Sequence, residues 1–347
     1  MYSDIQEIFL AILRSTFNSD ECKPRLSDLS SDQWHWLYQL SAEHGLTGVV
    51  YASVNDQFAN SQISKTDLFS WTLSAEKIAN RYQQLVGSIR KLSAIYAENN
   101  IRMILLKGVS LSRYYPIPQY REFGDADIFL GDDFQQGNKI ACDNGAQMDD
   151  SHLTDKHCAF VFDGTMFENH KTLLDLECRA EEILEEYLQG LLACADSEKV
   201  GYGAKLAPPM FNLLFVLRHT AVHFAWSVPF RSLCDWATLL YNERSKIDFK
   251  ELESVLNRSD MLCFYNALTC AAEKISGLPL SKMLIGEVGL EYADRIIEDC
   301  FYTNSRALKP QTNIQKVRRL LYNRWKYSRL LPDSYIKAWI KVIKRHI

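Results

Sequence analysis

Residues 105–130, LLKGVSLSRYYPIPQYREFGDADIFL, decide how this chain reads. They end in Asp125 and Asp127, one residue apart inside what reads as a strand. Side chains alternate along a strand, so both carboxylates fall on one face, roughly 7 Å apart at the backbone. Two converging carboxylates suit a pair of hard divalent cations that must also hold a polyphosphate. Upstream, the apolar run from Ile101 to Leu106 stops at Lys107-Gly108 and passes into a segment that can be helical. The layout is strand, glycine turn, helix, loop, carboxylate strand. Gly124 before the pair and Ile128-Phe129-Leu130 after it make Asp125 and Asp127 polar exceptions in an apolar strand, which favours function over a solvated edge.

Working outward, Phe134 to Gly145 can form a helix that closes on glycine. Two β-rich runs, Cys158 to Phe162 and Thr165 to His170, then flank Asp163-Gly164, the strongest short hairpin signal. Residues 1–95 read as helical: Ile5, Ile8, Phe9, Ile12 and Leu13 recur at helical spacing. Ser31-Asp32 can cap a helix carrying Trp34, Trp36, Leu37 and Leu40, and a long helix is expected from Thr66 to about Asn99. From about residue 180 the chain reads as helical again, with Pro208-Pro209 opening a helix at Met210. The expected units are a helical region 1–95, an alternating core 96–190 and a helical region 191–347.

The order of these elements resembles the nucleotidyltransferase superfold shared by DNA polymerase β-like enzymes and aminoglycoside nucleotidyltransferases. The wording is closer to one branch, an uncharacterised bacterial nucleotidyltransferase family with an L-L-K-G turn, a Tyr-Pro, an Arg and a Gly-Asp-x-Asp. Here those are Leu105 to Gly108, Tyr115-Pro116, Arg121 and Gly124 to Ile128. The resemblance implies an α+β fold, with a small mixed-sheet nucleotidyltransferase core flanked by the two helical regions. It further implies a third carboxylate from a following strand with an apolar-Glu-x-His pattern, which Phe167-Glu168-Asn169-His170 matches. Glu168 is therefore the expected third ligand, or the base that takes the acceptor proton. Asp175 and Glu177 are its rivals.

On this resemblance, Asp125, Asp127 and Glu168 hold Mg²⁺ or Mn²⁺. The reaction moves a nucleoside monophosphate, most simply AMP, from a nucleoside triphosphate to an unidentified acceptor hydroxyl (small molecule, protein or RNA end), releasing pyrophosphate. The alternative is a non-catalytic nucleotide-binding or protein-interaction module that kept the fold. Lys107, Gly108, Ser110 and Arg121 are the expected nucleotide contacts, since backbone N–H groups at a glycine turn can meet phosphate; Arg121 could instead pair with Asp125 or Asp127. Tyr114 and Tyr115 read as packing. A second family block follows, with His219 and His223 four apart on one helix face, then Trp226, Arg231 and Asp235. Without a Glu between them or a third ligand, the histidines do not read as a zinc helix. They are expected to line the nucleotide groove or to hydrogen-bond Asp235.

Composition sets the outer limits. With 347 residues, 47% hydrophobic and 24% charged, the chain is long enough for two or three packed units. A net charge of -4 does not by itself imply a nucleic-acid partner. Nine cysteines without a C-x-x-C pair argue against a disulfide framework and fit a reducing cytoplasm. The first residues read as an amphipathic helix, and no run is long enough to span a membrane. The segment from Arg306 is basic, with KVRR, NRWKYSR and IKVIKR against Asp333. It could hold an anionic partner, or form a helical cap that buries Leu320, Leu321, Trp325, Trp339 and Ile343.

Overall fold

The computed structural model describes residues 3–149, 157–176, 179–193, 203–307, 312–332, 335–336 and 340. Three helices, α1 (Asp4–Phe17), α2 (Ser31–Glu43) and α3 (Thr47–Val54), lead into the 34-residue α4 (Lys65–Glu98). Hydroxyl caps set the starts of α2 and α4. Ser30, one residue earlier than expected, caps α2 in a capping box with Gln33, and Ser64 accepts from the Asp67 N–H. The apolar faces behave unevenly: Trp34 and Leu37 are buried, whereas Trp36 is 63% exposed. Trp34 packs edge-on to Trp71 of α4, with ring centroids 6.4 Å apart.

The sheet follows. Strand β1 (Ile104–Leu105) is shorter than the apolar run around it, and Gly108, at φ 71, turns the chain into a single helical turn, α5 (Val109–Ser112). After β2 (Ala126–Phe129) come α6 (Phe134–Asp143) and β3 (Gln147–Met148). The hairpin β4 (His157–Phe162) and β5 (Thr165–His170) turns on Asp163 and Gly164, both at positive φ, as a two-residue Asp-Gly turn requires. Helix α7 (Arg179–Ala193) precedes a strand that the periodicity did not reveal, β6 (Lys205–Leu206), which pairs parallel with β1. The strand order is β3-β4-β5-β2-β1-β6. Because β6 comes after residue 190, the sheet extends into the segment expected to be wholly helical.

Alternation along the strands decides which side chains face which layer. Ala126 and Ile128 of β2 and Phe167 of β5 enter one core with Leu85, Ile89, Leu92 and Tyr96 of α4. Asp127 and Phe129, and with them Glu168 and His170, turn to the opposite face. That face is covered by α8 (Pro209–Phe224), whose first position is Pro209; its Phe215 meets the His170 ring edge-on at 6.4 Å.

The remaining helices are α9 (Phe230–Glu243), α10 (Phe249–Arg258), α11 (Leu262–Ser276), α12 (Ala293–Ala307), α13 (Asn313–Tyr322) and α14 (Arg324–Arg329). They share one core with α1–α3. Phe9 packs against Phe230 at 5.7 Å and Phe301 at 6.5 Å, and His44 lies between them. The helical regions at the two ends of the sequence are therefore one body in space. Part of the basic segment is spent inside it. Lys326 is fully buried, pairs with Asp299 at 2.6 Å and donates to the Phe224 carbonyl at 2.9 Å. Leu320 and Trp325 are buried as expected, but Leu321 is 57% exposed; Trp339 and Ile343 lie outside the described residues. No helix among the described residues is long and apolar enough to cross a membrane.

Candidate active site

A cavity of about 400 Å³ opens between the sheet and the α8–α9 pair. One wall is carboxylate. Asp127 and Glu168 are register partners in the parallel β2–β5 pairing, which sets their side chains next to each other on the same face. Asp125 sits just before β2 rather than inside it and lines the same cavity. Asp127, Glu168 and His170 each bring a ligand atom within 4.8 Å of the other two, a donor set of carboxylate oxygens and one imidazole that fits a divalent cation. Of Glu168's rivals, Asp175 lines the cavity at a greater remove in sequence from the strand, and Glu177 lies outside the described residues.

Asp127 is the most constrained of these groups. Lys107 Nζ lies 2.7 Å and His170 Nε2 2.9 Å from the same oxygen, Oδ1. Its other oxygen, Oδ2, faces Gly108, where an added Cβ would stand 3.9 Å away. The His170 Nδ1 is buried without a protein partner, which places the shared proton on Nε2, donated to Asp127. Burial alone would push the Asp127 carboxyl up, but the Lys107 ammonium and the His170 ring outweigh it and hold the carboxyl well below the usual range. Asp125 goes the other way: burial and then the Asp127 charge raise it. Glu168 is likewise raised, by burial first and then by Asp127 and Asp125. Burial would lower Lys107, yet the three carboxylates keep its ammonium above the ordinary lysine value.

Not every expected contact reaches the cavity. Ser110 is buried at 2% exposure with its hydroxyl donated to the Leu106 carbonyl, so it serves the α5 turn and is not brought to the cavity. Arg121 pairs with neither Asp125 nor Asp127. Its Nε and Nη2 grip Asp235 on α9 at 2.8 and 2.7 Å, and Tyr115 donates to the same carboxylate at 2.7 Å. That buried fork ties the turn after α5 to α9. Tyr114 bonds to Glu243, so both tyrosines are packed. His219 and His223 do line the cavity, their rings 4.4 Å apart.

Four cavity residues carried weaker signals. His170 shares the Glu168 face by simple alternation, and His157 is its register partner on β4, with Nε2 3.8 Å from Glu168. Arg218 is paired with buried Glu181 of α7, and Arg231 opens α9. Glu181 and Arg218 stand far apart in sequence, and nothing local signals their pairing.

The family model described as uncharacterised nucleotidyltransferase matches residues 30–277, from the α2 cap to the end of α11. No curated protein and no solved structure matches the chain.

Proposed function

This chain belongs to the uncharacterised nucleotidyltransferase family, and from that premise we propose that it transfers AMP from ATP to an acceptor hydroxyl, releasing pyrophosphate, in the cytoplasm. The observation that carries the reading is the juxtaposition of Asp127 with Glu168 across β2 and β5, beside the Lys107-Gly108 turn. Asp127 and Glu168, with Asp125 at the mouth of β2 and His170 steadying Asp127, would hold Mg²⁺ or Mn²⁺. Bound there, the dications supply charge neutralisation for the triphosphate and polarise the α-phosphate.

Each side chain then has a defined task. Asp127, held anionic by Lys107 and His170, keeps a fixed carboxylate on the phosphate side of the cavity. The positive φ of Gly108 presents backbone with no side chain next to Asp127 Oδ2, leaving room for phosphate oxygens. Glu168 stands beside Asp127 on the same face of the sheet, where a carboxylate oxygen can take the proton from the acceptor. The acceptor oxygen bonds the α-phosphorus, the α–β phosphoanhydride bond breaks, the hydroxyl proton passes to Glu168, and the bond electrons leave with pyrophosphate. His219 and His223 form the opposite wall, against the nucleotide.

The test is incubation with α-labelled nucleoside triphosphates, Mg²⁺ or Mn²⁺ and a cell extract. Label should move to an acceptor with the wild type, most strongly from ATP, and not with Asp127→Asn. Absence of label transfer from any nucleotide, together with no metal-dependent rise in melting temperature, would overturn the reading.

A further inference from the structure

Three arginines line the cavity, and two of them are committed to buried carboxylates. Arg121 is locked to Asp235, and Arg218 to Glu181 through Nε at 3.1 Å and Nη2 at 2.5 Å. Arg231 differs. Its Nη1 donates to the Glu122 carbonyl at 3.0 Å, and no carboxylate pairs with it among the described residues. It is half-buried, so its positive charge is neither cancelled nor freely solvated.

The surroundings aim this side chain. The Arg231 N–H is directed at the His44 carbonyl at 3.4 Å, fixing the start of α9 against the α2–α3 junction. Its arm crosses Gly45, which sits at φ +64; a Cβ there would come within 3.2 Å of Nη1 and 3.5 Å of Cδ and Cζ. The bare Gly45 backbone is thus a track for the arm. The carbonyl that catches the guanidinium belongs to Glu122, from which the chain runs through Gly124 into Asp125. A fork steadied by one N–H retains the others for a planar, bidentate anion.

Charge decides which anion. Asp125, Asp127 and Glu168 outnumber Lys107, so two dications cannot neutralise this cluster and a nucleoside triphosphate together. The acceptor reacts as a hydroxyl and needs no cation of its own. We propose that Arg231 binds the β- and γ-phosphates of the nucleotide, the part that leaves as pyrophosphate. This assignment rests on the nucleotidyl-transfer reading of the site.

Equilibrium binding of a fluorescent ATP analogue with Mn²⁺, competed by ATP, pyrophosphate or AMP, tests it on the wild type, Arg231→Gln and Arg231→Lys. Loss of a charged hydrogen-bond donor should weaken ATP and pyrophosphate by roughly ten- to a hundredfold in R231Q. AMP should stay within about twofold, and R231K, which keeps the charge, should lie between. Wild-type binding that R231Q retains for ATP and pyrophosphate overturns the inference alone. Equal loss of all three ligands in both variants also overturns it, because that reports a distorted site. No nucleotide binding by the wild type overturns the nucleotidyl-transfer reading and this inference with it.

Discussion

Asp125 and Asp127, separated only by Ala126, have their carboxyls shifted in opposite directions. Asp127 is stabilised as a carboxylate by Lys107 and His170, whereas Asp125 is pushed towards its protonated form by burial and by Asp127 itself. Their substitutions should therefore move stability in opposite directions. A carboxyl raised in the folded state costs stability at neutral pH, so Asp125→Asn is expected to raise the melting temperature of the metal-free protein. A carboxyl lowered in the folded state contributes stability above its unfolded value, so Asp127→Asn should destabilise, by about 3–5 kcal/mol for a broken buried pair. Thermal melts of the two variants check both signs, and equal signs would contradict this electrostatic account.

Glu168 supplies a second test. Because its carboxyl is raised, it holds a proton at pH values where an ordinary carboxylate has lost it, and metal must displace that proton. Mn²⁺ affinity should fall as pH drops, starting at a higher pH than for a typical carboxylate site. Calorimetry in two buffers of different ionisation enthalpy should show proton release on Mn²⁺ binding, reduced in Glu168→Gln.

The local part of this site was readable in the sequence because its elements are local. The Gly108 turn and the Asp-Gly hairpin follow from turn chemistry over a few residues, and Glu168 from the apolar-Glu-x-His pattern of the resembling family. His170 was reachable by the same rule, two residues beyond Glu168 on the same face. What could not be read were partners set by tertiary packing. Asp235 takes Arg121 across 114 positions of sequence, a buried pairing that no local pattern announces. Glu181 pairs with Arg218 across 37 positions. The two-residue β6 carries too little periodicity to announce itself, and Ser110 turned inward because the Leu106 carbonyl lies one helical turn back.

Lys326 and Asp299 test how the last helices are held. Both are fully buried; burial raises the Asp299 carboxyl and lowers the Lys326 ammonium, against their mutual attraction. Asp299→Asn leaves a buried cation and should cost about 3–5 kcal/mol in urea unfolding. The double variant with Lys326→Met should recover much of that, since no unpaired charge is then left buried.

His44 gives the protein an acid sensitivity of its own. Burial holds the ring at about 3, while its Nδ1 accepts from the Phe230 N–H. The unfolded chain protonates this ring near pH 6.5 and the folded one does not, so stability declines as pH falls from 6.5 towards 3. At pH 5 the penalty is roughly 2 kcal/mol. Urea midpoints at pH 7 and pH 5 should converge in His44→Phe relative to the wild type.

The aromatic cluster of Phe9, His44, Phe230 and Phe301 also sets an order in time. During synthesis Phe9 emerges long before either phenylalanine that covers it exists. Helix α1 can meet α2 and α3 as soon as they are made, but the part of its apolar face that packs on Phe230 and Phe301 stays open through translation of the whole sheet. Contacts this distant in sequence close a large loop, which slows their formation. The packing around Phe9 is therefore complete only once α9 and α12 exist.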